Sequence, residues 1–239
     1  MIVAPRVPTF IRAYDDLLGG GVPPGHVVLL SGGAGTMKSS LAYSILHENT
    51  RRGGAGLYVT VEQDAHSLLA QLRSMGFPVE ATAKALPLLD LSRGREYLER
   101  LPSGAGEGSV SPVKAVQQKI EELRKDRGLS LLAIDSWDAL ELVLDFEDPR
   151  VETFEFFRWL RGLGVTSFLV TERGTNGSSR RFSDEFLADA VFHLRLDQTA
   201  ALQYQRRIQC EKFRTSEHSA DLLTLVFDGG RFEVVKAIG

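Results

Sequence analysis

The chain has one cysteine, Cys210, so no internal disulfide can form. That excludes a small disulfide-stapled fold and fits a reducing compartment. No apolar run approaches the ~18 residues that a membrane-spanning helix needs, which excludes such a span. The opening stretch MIVAPRVPTF has no basic segment followed by a long apolar core, so no secretory leader is expected. A cytoplasmic location is the expectation. A surplus of positive charge is missing too. Lys and Arg number 28 against 31 Asp and Glu, for a net charge of -3 and a pI of about 6.0. This counts against nonspecific nucleic-acid binding, although a local basic groove is compatible with an acidic total. Internal repeats are absent, and low complexity is confined to PSGAGEGSVS at 102–111, which reads as a surface loop.

What is present is a pattern of buried strands. HVVLLS (26–31), GLYVTVE (56–62), LSLLAID (129–135) and TSFLVTE (166–172) are apolar runs bounded by turn residues. Continuous apolarity means strands covered on both faces, as in a parallel sheet. Helical patterns separate them at 38–51, 65–75, 112–126 and 151–163. Alternation of strand and helix indicates an α/β fold with a mostly parallel sheet flanked by helices. After about 185 the pattern changes. ADAVFHLRLD, YQRRIQCEKFR and DLLTLVFDGGRFEVV read as antiparallel C-terminal strands, with Asp228-Gly229-Gly230 as a hairpin turn. A chain of 239 residues can bury one substantial core. One domain over 1–239 is expected.

The first run ends in SGGAGTMKSS, residues 31–40. A phosphate-binding P-loop has a glycine, four free positions, a second glycine, then Lys and Ser or Thr. Gly32, Lys38 and Ser39 take their places, but Met37 stands where the second glycine belongs. Strand, glycine-rich turn and helix is the context the motif requires. Glycines let successive backbone N–H groups turn toward a phosphate in front of a helix N-terminus. Gly32, Gly33, Ala34, Gly35, Thr36, Met37, Lys38, Ser39 and Ser40 are therefore the expected nucleotide-binding loop. Lys38 serves the β- and γ-phosphates and Ser39 serves Mg²⁺. Met37 is costly if its position demands positive φ. Its backbone N–H remains, so the loop reads as retuned and still able to bind.

Taken together, YDDLLGGGVPPGHVVLLSG, LYVTVEQ, LLAIDS, LVTER, FLADAVFHLRL and CEKFRTSEH resemble, in order, the KaiC-like ATPases of the RecA superfamily. The resemblance implies a RecA-like P-loop fold, with ATP and Mg²⁺ as ligands. It makes Glu62 the group that polarises the attacking water. KaiC relatives carry two adjacent acids there, whereas this chain has Glu62-Gln63, so slow hydrolysis is expected. Asp135 resembles the Walker B acid that holds Mg²⁺ through water, with Ser136 in support. Thr171 resembles a γ-phosphate sensor, while Glu172 and Arg173 read equally well as an exposed pair.

In related rings a Lys-x-Arg projects into the neighbour's nucleotide, and Lys212 and Arg214 match it. Period-two spacing places both on one strand face. His218 nearby reads as structural. The resemblance thus implies a homo-oligomer, hexameric in the related rings. Segment 174–186 corresponds to a channel loop in which Arg180 and Arg181 could meet DNA phosphates. Phe182 alone makes a poor stacking platform.

Two alternatives stay open beside a regulatory ATPase that acts on an unidentified protein partner. One is a recombination accessory protein of the RadB or RadA-paralogue kind, binding single-stranded DNA. The other is a nucleotide-dependent scaffold that does not hydrolyse ATP.

Overall fold

The computed structural model describes residues 5–94, 96, 111–172, 182–200 and 202–236. Each long apolar run forms a strand of one nine-stranded sheet: β1 Val27–Gly32, β2 Gly56–Thr60, β4 Leu131–Asp135 and β5 Thr166–Glu172. All residues of β1 and β2 are buried. The remaining strands are β3 Leu88–Asp90, β6 Ala190–Ala200, β7 Gln203–Phe213, β8 Leu223–Asp228 and β9 Arg231–Lys236. The order is β3-β2-β4-β5-β1-β6-β7-β8-β9. Pairing is parallel from β3 through β6 and antiparallel from β6 to β9. Gly229 and Gly230, with φ of 51° and 81°, make the β8–β9 turn, where both central residues need positive φ.

The α-helices that flank the sheet are α1 Lys38–Thr50, α2 Ala65–Ser74, α3 Pro112–Arg127, α4 Trp137–Leu144, α5 Pro149–Leu163 and α6 Phe182–Leu187, and two 3₁₀ turns span Asp15–Leu18 and Val79–Thr82. Helices α1 and α2 cover one face, where Leu41, Ile45, Leu68 and Leu72 pack with Val28, Leu30, Phe168 and Phe192. Helices α3, α4 and α5 cover the other, where Val116, Ile120, Trp137, Phe156 and Leu160 meet Leu29, Val59 and Ile134. Each such fully buried side chain contributes roughly 1.5–3 kcal/mol.

Sequence reading and structure differ at three short elements. β3 has three residues, too few to show a period. α4 starts at Trp137, capped by Ser136 Oγ accepting from Ala139 N, and its 8 residues are too few for a helical period to show. α6 begins inside the stretch 174–186 read as a loop and ends just beyond it, at Leu187. The rest of that loop up to 181, including Arg180 and Arg181, lies outside the described residues, as do Arg173 and 102–110.

The chain order positions the site. From β1 the chain passes through α1 to β2, which lies beyond β5 and β4; from β5 it crosses β1 to β6. Successive connections therefore depart in opposite directions beside β1. In open α/β sheets, ligands bind at the carboxyl ends of the strands at such a point.

Candidate functional site

The loop 32–37 lies at that carboxyl end. A Cβ on Gly32 would stand 2.1 Å from Leu194 O on the adjoining β6, so only glycine fits. Gly35 has φ 74°. Met37 has φ 73° and ψ 27°, in the left-handed region. This explains why the P-loop pattern has glycine there and shows that methionine adopts the same backbone. Its side chain packs against the core beside α1, which offsets part of the strain. Thr36 Oγ1 and Lys38 Nζ each donate to Gly33 O at 2.8 Å, closing the loop on itself.

Helix α1 begins without a side-chain cap, whereas Asp64, Ser111, Ser136 and Asp148 cap α2 to α5. The N–H groups of a first helical turn have no partner within the helix, and the helix dipole adds positive potential there. An uncapped start preceded by a glycine loop suits an anion, and Lys38 stands in its first turn.

Carboxylates face this end. Ser39 Oγ donates to Asp135 Oδ1 at 3.1 Å and Tyr58 Oη to Asp135 Oδ2 at 2.6 Å. Burial pushes the Asp135 carboxyl above its usual range, against the lowering effect of these two donors. Glu62 lies just beyond β2 and accepts from Ser136 Oγ, while Val61 N donates to Asp135 O at 2.8 Å. Burial holds the Lys38 ammonium below its usual value, and the charges of Glu172, Asp135, Glu62 and Asp138 oppose that shift. The structure thus gathers Lys38, Ser39, Asp135, Ser136 and Glu62 into one cluster.

Thr171 joins from β5, where it is in register with Ser31. Its Oγ1 donates to Asp138 Oδ1 at 3.2 Å, and Glu172 N donates to Asp138 Oδ2 at 2.6 Å. Sequence reasoning missed Asp138 and Tyr58. Asp138 follows Asp135 by three residues, a signal in plain view; Tyr58 gave none beyond its apolar run. Ser40 Oγ points away, toward Met75 Sδ at 3.4 Å, which leaves only its backbone to the loop.

Among the described residues no group of three His, Cys, Asp or Glu could hold a metal. Ser39 with Asp135 is instead a hydroxyl–carboxylate pair. Such a donor set suits Mg²⁺, which keeps several waters and takes one or two protein oxygens plus phosphate.

Lys212 and Arg214 are elsewhere. Phe213 pairs with Ala190, level with Val28 at the start of β1, and Arg214 N donates to Asp189 O at 2.7 Å. Along the strand Phe213 is about 13 Å from Gly32 at ~3.3 Å per residue. Within one chain the pair does not meet Lys38. Both side chains converge on α6: Lys212 Nζ donates to Glu185 O at 2.8 Å and Phe186 O at 2.9 Å, and Arg214 donates to Phe186 O at 2.8 Å. Arg161 and Arg214 also pair with the buried Asp189. His218 packs edge-on against Phe213 at 6.0 Å, a structural contact.

A family model described as "ATPase: KaiC" matches residues 7–236. A UPF0273 protein of Aeropyrum pernix is 31% identical, over 90% of this chain and 87% of its own. Another, of Pyrobaculum aerophilum, is 27% identical over 98% and 84%. The circadian clock protein KaiC2 of Synechocystis is 27% identical over 90% of this chain, which spans only 37% of that longer protein. Among solved structures, a KaiC-like protein from Pyrococcus horikoshii superposes with a TM-score of 0.79, 26% identity and coverage of 96% and 98%. No helix among the described residues is long and apolar enough to cross a membrane. This chain, with its P-loop sheet, belongs to the KaiC family of ATPases.

Proposed function

We propose that the protein binds Mg-ATP at the 32–40 loop, hydrolyses it slowly, and signals its nucleotide state to a protein partner through head-to-tail assembly. The observation that carries this reading is the cluster of Lys38, Ser39, Asp135 and Glu62 around the one uncapped helix start of α1 to α5. Backbone N–H groups of the loop and of Lys38, Ser39 and Ser40 bind the phosphates, and Lys38 neutralises the β- and γ-phosphates. Ser39 and Asp135 would hold Mg²⁺. When bound, the metal shields phosphate charge and orients the triphosphate. Glu62, held by Ser136, orients the attacking water and accepts its proton. Gln63 can orient water but not take a proton, which keeps turnover slow. Thr171, steadied by Asp138, serves as the γ-phosphate sensor.

Because Lys212 and Arg214 lie at the opposite end of the sheet, they serve a nucleotide only in a neighbouring copy. Such a contact is heterologous and closes into a ring when the rotation allows; a hexamer is the expected size. Calorimetry and turnover test the reading together. Lys38→Ala should abolish Mg-ATP binding, while Glu62→Gln should keep it and lose turnover. Equal weak binding by wild type and Lys38→Ala would contradict the site. Firm binding without turnover would leave a nucleotide-dependent scaffold, and turnover that requires single-stranded DNA would favour the recombination reading.

A further inference from the structure

The Walker B carboxylate has a second hydrogen-bond donor that the phosphate-loop pattern does not supply. Tyr58 is fully buried on β2. Its hydroxyl donates to Asp135 Oδ2 at 2.6 Å and stands 3.3 Å from Ser39 O. One phenol oxygen therefore touches both the end of β4 and the first turn of α1. The ring is locked by its neighbours: Tyr43 packs against it at 5.9 Å and 62°, and Tyr43 is itself stacked on His47 at 5.5 Å. Phenylalanine would fill the same space, and burying a hydroxyl is unfavourable unless it is bonded. The hydroxyl is thus explained by what it holds. With Oδ2 taken by Tyr58, the carboxylate is fixed with Oδ1 directed at Ser39 Oγ, at 3.1 Å.

We infer that Tyr58 is a positioning residue for the Mg²⁺ site, orienting Asp135 and tying it to the Ser39 turn. The inference rests on the reading that Ser39 and Asp135 hold the metal. Loss of an outer partner of a metal-binding group typically weakens metal affinity ~10–100-fold. For Tyr58→Phe we expect about a tenfold higher Mg²⁺ midpoint in an ATP-binding titration, with metal-free ATP binding unchanged. In an Asp135→Asn background the same substitution should add no further loss, because Tyr58 acts through that carboxylate.

The two readings fail separately. If Asp135→Asn leaves the Mg²⁺ dependence of wild type unaltered, the metal-site reading falls. If Asp135→Asn removes that dependence but Tyr58→Phe matches wild type, Tyr58 is only a core residue. Melting of Tyr58→Phe without ligand reports its folding. Should it fail to fold, 3-fluorotyrosine placed at Tyr58 preserves the hydroxyl and ring. Its fluorine resonance should then shift when Mg²⁺ is added to the ATP-loaded protein. An unmoved resonance would overturn the inference.

Discussion

Replacing Met37 by glycine isolates the backbone cost that this loop carries. Met37 has φ 73° and ψ 27°, a conformation that disfavours an L-residue by roughly 1–2 kcal/mol and leaves glycine unpenalised. Against that gain, glycine loses about 0.5–1 kcal/mol more chain entropy on folding. The half-buried methionine side chain packs on the core, and partial burial of such a side chain contributes about 1 kcal/mol. These terms nearly cancel, so Met37→Gly should change stability by less than about 1 kcal/mol. Met37→Ala keeps the strain and loses the packing, and should be less stable than Met37→Gly by roughly 1 kcal/mol. Urea unfolding of the three proteins reads the differences, and calorimetry reads Mg-ATP affinity. Glycine should leave that affinity equal or improved, because the backbone N–H is the same in either residue. A stability loss above about 2 kcal/mol, or an affinity loss of about tenfold or more, would refute this account of the loop.

Other expectations concern separate parts of the molecule. Glu62→Gln should lower turnover by ~10²–10⁴-fold where water activation limits the rate, with ATP affinity retained; unchanged turnover would assign the base elsewhere. His47 is buried with Nδ1 2.9 Å from Thr82 Oγ1, and burial lowers its pKa from the usual 6.5. A group depressed in the folded state stabilises fully above its unfolded value and loses that contribution as pH falls through the folded one. Stability should therefore decline on acidification below about pH 6.5. His47→Phe should flatten that part of the curve in melts across pH, and an identical slope would contradict the assignment.

The central strands were legible because parallel strands buried on both faces leave unbroken apolar runs, as in Val27–Leu30 and Leu131–Ile134. The loop was legible despite Met37, since strand, glycines, Lys38 and helix keep their order. The backbone at residue 37 has φ 73°, the case in which methionine is costly there. β3 and α4 were not legible, being too short for a period to declare itself. Asp135 stood out at a strand end, but its tie to Tyr58 spans 77 residues of sequence. Only packing β2 beside β4 creates that tie. For Lys212 and Arg214, period two placed both side chains together. The strand ends at Phe213, and their meeting point at Phe186 O depends on α6, which the sequence reading took for loop.

The central claim, a nucleotide site completed by a second copy, is tested most directly by mixing two defective proteins. Arg214→Ala keeps an intact loop and Glu62, but presents no arginine to its neighbour. Glu62→Gln keeps Arg214 but cannot activate water. Each should bind Mg-ATP and turn over little alone. In mixed assemblies some sites pair an intact Glu62 with a neighbour's intact Arg214, and turnover should recover to a fraction of wild type. Mass measurement with and without Mg-ATP should show nucleotide shifting small species toward the assembled form, because the ligand binds that form better. Strict inactivity in assemblies shown to contain both proteins would contradict the shared site.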